Sequence, residues 1–530
     1  MLYNSFVYLL PFLGLTVALY YLIPLKDRWK VLLLSSILFF MIASGWLILL
    51  LLFSALTVYI GAIRIEKDLD SFKDIRTGMD RKERKEYKKA MTSRHRKWIG
   101  LIVFLNLLVL FLSKYLNFAI DNINRFLHLL HHDGTLQTLP LLMPLGISFY
   151  TLSAIGYVTD VARGSCKAEK NYGRLVLFLS FFPLITEGPI ERYTGLGRQI
   201  QEEHAFDYTS FCYGLQLILW GLIQKVVLAD RFNVIVHEVF TNYTTYSGLA
   251  VLTGIMIYTF QLYMDFSGCI DIARGSAELF GIHLSENFRR PFFSASVNEF
   301  WRRWHITLGS WLKDYVFYPV SLSPSFQRFS KYCRKKLPRY YAATLPGIFA
   351  LFAVWISNGL WHGAEWKYVA YGMYYYMIMT ASMLLEPAFA LLSRKLSINR
   401  ESRVYHCFQV GRTFILVNIG MLIFRADHLP AAFSMFRSLI VPYHFRDGYL
   451  AWLFDKGNIH LSEIVLLFAS LVFLCLYGHY KEKGGCLRKA IASRPLPLRF
   501  GIYLTAVITI IVIGAYGPGF GVVDFIYARF

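Results

Sequence analysis

Two histidines stand where an ionisable side chain is costly and therefore informative. His362 lies in the stretch Asn358 to Trp366 (NGLWHGAEW), which interrupts an apolar run from Leu345 to Met383. An ionisable group inside a lipid-spanning segment is a functional candidate by default, because its desolvation has to be offset. No basic cluster surrounds His362 to explain it as an interfacial anchor, and Gly359 and Gly363 permit a break or a close backbone approach. Imidazole titrates near neutrality, so in a water-poor site it can take the proton of a hydroxyl. That makes His362 a candidate general base. A hydrogen-bonded packing histidine is the competing reading, and the residue pattern alone leaves both open.

His305 closes the run Glu299 to His305 (EFWRRWH), in which aromatic and charged residues interleave. On a helix, Trp301, Trp304 and His305 fall on one side at i, i+3 and i+4, with Leu308 next, while Arg302 and Arg303 point elsewhere. Such a stretch suits an interfacial or re-entrant helix whose aromatics sit at headgroup level and whose arginines reach phosphates. Asn287 begins the preceding segment, NFRRPFF. Asp265, in YMDFSG, is an acid inside an apolar run that either lines a cavity or pairs with a basic partner. His128, His131 and His132 cluster in a polar connection and read as solvated, so no metal site is expected there. The chain carries no P-loop, GxGxxG or HExxH pattern.

The elements that must position these residues follow from composition. The chain has 530 residues, 56% hydrophobic, 17% aromatic and only 17% charged, with a mean hydropathy of +0.43. A soluble domain carries about 25% charged residues, so this is an all-α polytopic membrane protein, and disorder is excluded. Twelve apolar segments are expected as spans, near 2–23, 31–43, 46–63, 98–120, 139–160, 209–236, 249–272, 343–361, 366–388, 406–425, 461–480 and 500–516. The segment 174–190 looks broken and reads as a re-entrant hairpin, tolerated only if buried in protein or lining a cavity.

The net charge is +21, yet the basic residues fall between apolar segments, which argues for topology and anionic lipid rather than nucleic acid. The loops 64–97, 322–340, 391–405 and 481–499 are basic, and placing them in the cytoplasm works with twelve crossings and both termini outside. The charged 64–97 segment reads as a surface helix without a catalytic role. The seven cysteines, at 166, 212, 269, 333, 407, 475 and 486, include no close pair, so zinc and a disulfide framework are not expected. The stretch Met1 to Pro24 lacks a basic leader and is kept as a helix.

In order along the chain, Pro144 to Tyr150, Phe181 to Pro183 with Glu187 to Tyr193, Tyr263 to Gly268, Glu286 to Phe292, Glu299 to His305 and Gly359 to Ala364 resemble the membrane-bound O-acyltransferase family. Phe424 to Ala426 and Phe525 to Phe530 resemble it more weakly. The resemblance implies N-terminal helices over 1–138, a catalytic core over 139–390 and C-terminal helices over 391–530. It also implies His362 and His305 as the catalytic pair, in a tunnel where a cytoplasmic acyl thioester meets an acceptor hydroxyl. In that setting His305 would orient or polarise the thioester carbonyl, or assist the leaving thiolate. Trp301, Arg302, Arg303, Trp304, Asp265, Asn287, Glu299 and Trp361 are candidates to line the path, and Arg302 and Arg303 to meet donor phosphates. No bound cofactor is implied. The donor would be acetyl-coenzyme A or an acyl-phosphopantetheinyl carrier protein, and an extracytoplasmic transferase would pass the acyl group to polysaccharide.

Within the family, length and the Trp301 to Trp304 run resemble the bacterial polysaccharide-acetylating branch. The teichoic-acid D-alanylating branch is usually shorter and carries Asn where Arg302 stands, although Gly188 to Tyr193 is more like that branch. A transporter and a non-catalytic envelope scaffold are the rivals from other classes. The absence of inverted repeats weighs against the transporter.

Overall fold

The chain's apolar segments fold as helices because lipid offers no partner for a bare peptide group. The structure is a computed structural model that describes residues 2–132, 134–140, 142–246, 248–440 and 461–516. Among these residues there is no strand, only an isolated bridge between Phe288 and Trp304. Every expected span overlaps a helix. Among the described residues eight stretches are long and apolar enough to cross a membrane, and one of them, Leu25–Gly78, holds two expected spans. Tyr8–Leu22 is apolar but shorter. The span expected at 139–160 begins later, since the helix runs Ile147–Arg163 after Gly146 at φ 64°. A Cβ there would lie 2.0 Å from the Ile185 carbonyl oxygen. The run Phe525 to Phe530 and most of the 426–460 connection lie outside the described residues.

The chain divides into two units, Met1–Leu215 with Ala273–Ser285, and Gln216–Ile272 with Glu286–Phe530. In the first unit the helices α1 (Ile48–Ile75) and α2 (Arg81–Leu110) pack together and continue the spans well into the charged segment. The expected surface helix is therefore the end of a helical hairpin. Asp80 and Glu83 form a reciprocal cap at the start of α2, and Phe72 stacks on Tyr87 at 5.4 Å. The broken segment is a short helix, α3 (Tyr172–Ser180), followed by non-helical backbone that is buried from Phe181 to Glu191. Both backbone polar groups of Phe182 find protein partners. The Phe182 N–H donates to Ser36 Oγ at 3.1 Å, and the Phe182 carbonyl accepts from the Tyr3 hydroxyl at 2.6 Å.

The second unit is built on α4 (Arg339–His362) and α5 (Trp366–Lys395), joined by three residues. They cross at glycines. A Cβ on Gly359 would lie 2.5 Å from the Tyr368 carbonyl oxygen, and one on Gly372 would lie 2.4 Å from that of Trp355. Only small residues allow two backbones this close. Helix α6 (Arg403–Arg425) packs on α5, where Gly420 makes room for Tyr375.

Candidate active site

The helix carrying His362 stops at that residue. Gly363 is extended, at φ 177° and ψ 165°, and its missing side chain leaves space for the Tyr368 ring, which a Cβ would meet at 2.3 Å. His362 is 2% exposed and walled by aromatics. Its ring lies 5.0 Å from that of Trp361, 5.6 Å from Tyr371 and 5.1 Å from Phe424.

His305 is not in the middle of a continuous helix. Val297–Arg303 ends, Trp304 is extended, and His305 adopts φ 47°, ψ 52° before a new helix, Ile306–Leu312. The i, i+3, i+4 alignment expected from the sequence is thus broken at the residue that matters. The break is stabilised by the segment around Asn287. Phe288 bridges Trp304, the Arg289 N–H donates to the Arg303 carbonyl at 2.9 Å, and the Ile306 N–H donates to the Asn287 carbonyl at 3.0 Å. Histidine is among the few residues that tolerate positive φ. Its imidazole lies 2% exposed, 4.9 Å from the Phe266 ring and 5.5 Å from the Trp361 indole. Both histidines therefore lie against one indole.

Burial pushes the His305 pKa down to about 3, so its ring is neutral at physiological pH. Its tautomer follows from Asn287. The Asn287 Oδ1 accepts from the Thr307 N–H at 2.9 Å and from the Thr307 hydroxyl at 2.8 Å. A backbone N–H can meet only the amide oxygen, which fixes the orientation of the Asn287 side chain. His305 Nδ1 lies 3.4 Å from that oxygen and so is the protonated nitrogen. Nε2 then carries the lone pair. In this tautomer Nε2 accepts hydrogen bonds and does not donate them.

The other sequence candidates fall into two groups. Trp361 contacts both histidines. Trp301 packs on Trp355, Tyr371 and Tyr375, one ring removed from His362, and Trp304 packs on Tyr263, Phe288 and Phe300 behind His305. Glu299, Arg303 and Asp265 are engaged in ion pairs. Arg303 is held by Glu299 at 2.8 Å and by Glu482 at 2.9 Å, and Glu482 also takes Arg290. Arg302 is exposed and is the better placed of the two arginines to meet a phosphate. Asp265 pairs with Lys225 at 2.5 Å, and Lys225 also contacts Asp230 at 2.8 Å, all three buried. Of the two readings left open for Asp265, the structure shows the ion pair. Sequence reasoning missed Lys225, although a lysine inside an apolar segment was a legible signal. It also missed Thr307 and Glu482, whose roles depend on long-range contacts. Among the described residues no cluster of His, Cys, Asp and Glu could hold a metal ion.

The geometry supports proton transfer near a buried, aromatic-walled pair of imidazoles. Residues 171–403 match the membrane-bound O-acyltransferase family. The chain is 30% identical over 496 residues to the probable alginate O-acetylase AlgI of Pseudomonas aeruginosa, covering 91% of this chain and 83% of that protein. It is 28% identical over 371 residues to the peptidoglycan O-acetyltransferase of Helicobacter pylori, covering 65% of each. It is also 31% identical over 246 residues to the teichoic acid D-alanyltransferase of Bacillus subtilis, 46% of this chain and 59% of that protein.

Proposed function

The chain belongs to the membrane-bound O-acyltransferase family, and on that premise we propose that it moves an acetyl group from a cytoplasmic thioester, across the membrane, for O-acetylation of an extracellular polysaccharide. The observation that carries this reading is that His305 and His362, both 2% exposed, lie against the same Trp361 indole. The acceptor hydroxyl gives its proton to His362 as its oxygen attacks the thioester carbonyl carbon. A C–O bond forms, the C–S bond breaks, and the proton passes to the departing sulfur, so an ester and a thiol leave. His305, neutral with Nε2 unprotonated, assists at the thiolate end, where it can take up and return that proton. Holding donor and acceptor oriented in a dry, aromatic-lined site supplies much of the rate.

The donor is acetyl-coenzyme A or an acyl-phosphopantetheinyl carrier protein, a substrate rather than a resident cofactor. An extracytoplasmic transferase partner receives the group and passes it to the polymer. The basic loops face the cytoplasm of a plasma-membrane protein whose termini lie outside. Residues 139–390 form the catalytic core between the N-terminal helices and the segment 391–530. The similarity to a D-alanyltransferase favours a second reading, D-alanyl transfer from a carrier protein to teichoic acid.

The test compares base-labile acyl groups released from surface polymers of wild-type cells and of a His362→Ala strain matched for protein level. Loss of acetate supports the first reading and loss of D-alanine the second. No change in either refutes the catalytic role of His362.

A further inference from the structure

If His305 presents a lone pair rather than a proton, the carbonyl oxygen of the thioester needs another donor as it becomes an oxyanion. Asn287 has one to give. It is 1% exposed, and its Oδ1 is fully used by Thr307 and His305. Its Nδ2, by contrast, is buried and meets no hydrogen-bond acceptor among the described residues. A buried amide N–H2 without an acceptor is costly, and a catalytic role is one of the few reasons for a fold to keep one. The donor is also preorganised. Its partner oxygen is pinned to a backbone N–H, and the segment that carries it is clamped to 303–306 by two backbone hydrogen bonds. It therefore needs no reorientation when charge develops.

We propose that the Nδ2 amide of Asn287 donates to the carbonyl oxygen of the bound acyl thioester, while Oδ1 of the same side chain fixes His305 with Nε2 as its basic nitrogen. This rests on the acyltransferase reading above. It makes Asn287 a catalytic residue through Nδ2 and a positioning residue through Oδ1. It also divides the work so that neither histidine polarises the carbonyl.

The separating variant is Asn287→Asp. A carboxylate keeps acceptors for the Thr307 N–H, the Thr307 hydroxyl and His305 Nδ1, but loses the donor. The assay follows thiol release from acetyl-coenzyme A by the purified full chain in detergent, with an acceptor polymer present. For Asn287→Asp, kcat should fall about 10²- to 10³-fold, the loss typical of one oxyanion donor. KM for acetyl-coenzyme A should change little. The new carboxylate should also raise the His305 pKa, so the acid limb of kcat against pH moves to higher pH. The other ionisable groups close to His305 are Glu286, Arg289 and Arg290 on the segment of Asn287, Glu299, Arg302 and Arg303 on the preceding helix, Asp265 with its partner Lys225, and His362. All are unchanged in this variant.

A merely structural asparagine predicts near wild-type kcat, and an unmoved limb means that the side chain at 287 does not meet His305. Either result in a folded Asn287→Asp protein overturns the proposal. If that variant does not fold, Thr307→Val decides, since it removes one of the two anchors on Oδ1 and leaves the backbone N–H. A kcat loss of about fivefold, one hydrogen bond's worth of orientation, supports the proposal, and an unchanged kcat overturns it. His362→Ala is run in parallel. If it retains turnover, the acyltransferase reading of the site fails. If it is inactive while Asn287→Asp is not, only the assignment of Asn287 fails.

Discussion

Replacing Lys225 with Met should destabilise the protein more than any change to its two acidic partners. Lys225 is fully buried, 2.5 Å from Asp265 and 2.8 Å from Asp230. At an effective dielectric of about 20, each contact contributes roughly 6 kcal/mol of attraction, most of which offsets the desolvation of three ions. Removing the cation leaves two carboxylates facing each other in an apolar span. Breaking a buried pair in this way costs about 3–5 kcal/mol, roughly two to three and a half powers of ten in the unfolding equilibrium. Asp265→Asn does the opposite, leaving a one-to-one pair between Lys225 and Asp230, and should cost about 1 kcal/mol or less. The neutral triple variant Lys225→Met, Asp230→Asn, Asp265→Asn should recover most of the loss, because no buried charge is left alone. The measurement is the unfolding free energy in detergent for the four proteins, with acyl transfer normalised to folded protein. If Lys225→Met is no less stable than Asp265→Asn, or if the triple variant is the worst of the set, the charge-balance argument is wrong. If Asp265→Asn abolishes acyl transfer while remaining folded, Asp265 belongs to the chemistry and not to the scaffold.

Three other outcomes follow from the geometry. Gly359→Ala places a Cβ 2.5 Å from a carbonyl oxygen, so α4 and α5 must part by about 1 Å, and turnover should fall by about 10²-fold. Gly347→Ala on the same helix meets nothing within 4 Å and serves as the unaffected control in the same assay. His305 titrates near 6.5 when unfolded and at about 3 when folded, so the unfolded chain binds the extra proton between those values. The stability it contributes is complete above about pH 6.5 and is lost by roughly 1.4 kcal/mol per pH unit as pH falls towards 3. Thermal unfolding of His305→Asn should lack that component of the acid sensitivity. Arg303→Gln should cost about 1 kcal/mol of stability or less, because the side chain is only partly buried between Glu299 and Glu482, and should leave donor KM unchanged. Arg302→Gln should leave stability alone and raise donor KM. Equal effects of the two arginine variants on KM would contradict this division.

The helices were legible in the sequence because lipid enforces one rule on every span, so apolar runs of sufficient length map onto α4, α5 and α6 almost directly. His362 was legible for the same reason, as an ionisable residue in an apolar run flanked by glycines. The break at His305 was not. Nothing in EFWRRWH interrupts helical periodicity, and the positive φ is imposed by Phe288, Arg289 and Asn287 pairing from across a turn. Nor could sequence divide Arg302 from Arg303, since the carboxylate that claims Arg303 comes from Glu482, 179 residues away. Spacing shows which side chains share a face. It does not show which distant group already occupies them.

The left-handed backbone at residue 305 also limits what that position can become. A residue at φ 47° pays little only if it is glycine or one of the short polar or imidazole types. Glutamate, lysine and the β-branched residues would have to distort the turn that holds Asn287 and Thr307. The local conformation thus screens candidate chemistries before selection on activity begins. Among polar replacements, asparagine and aspartate are the ones that enter without rebuilding the loop. The repertoire open to this corner of the site is written in its backbone as much as in its reaction.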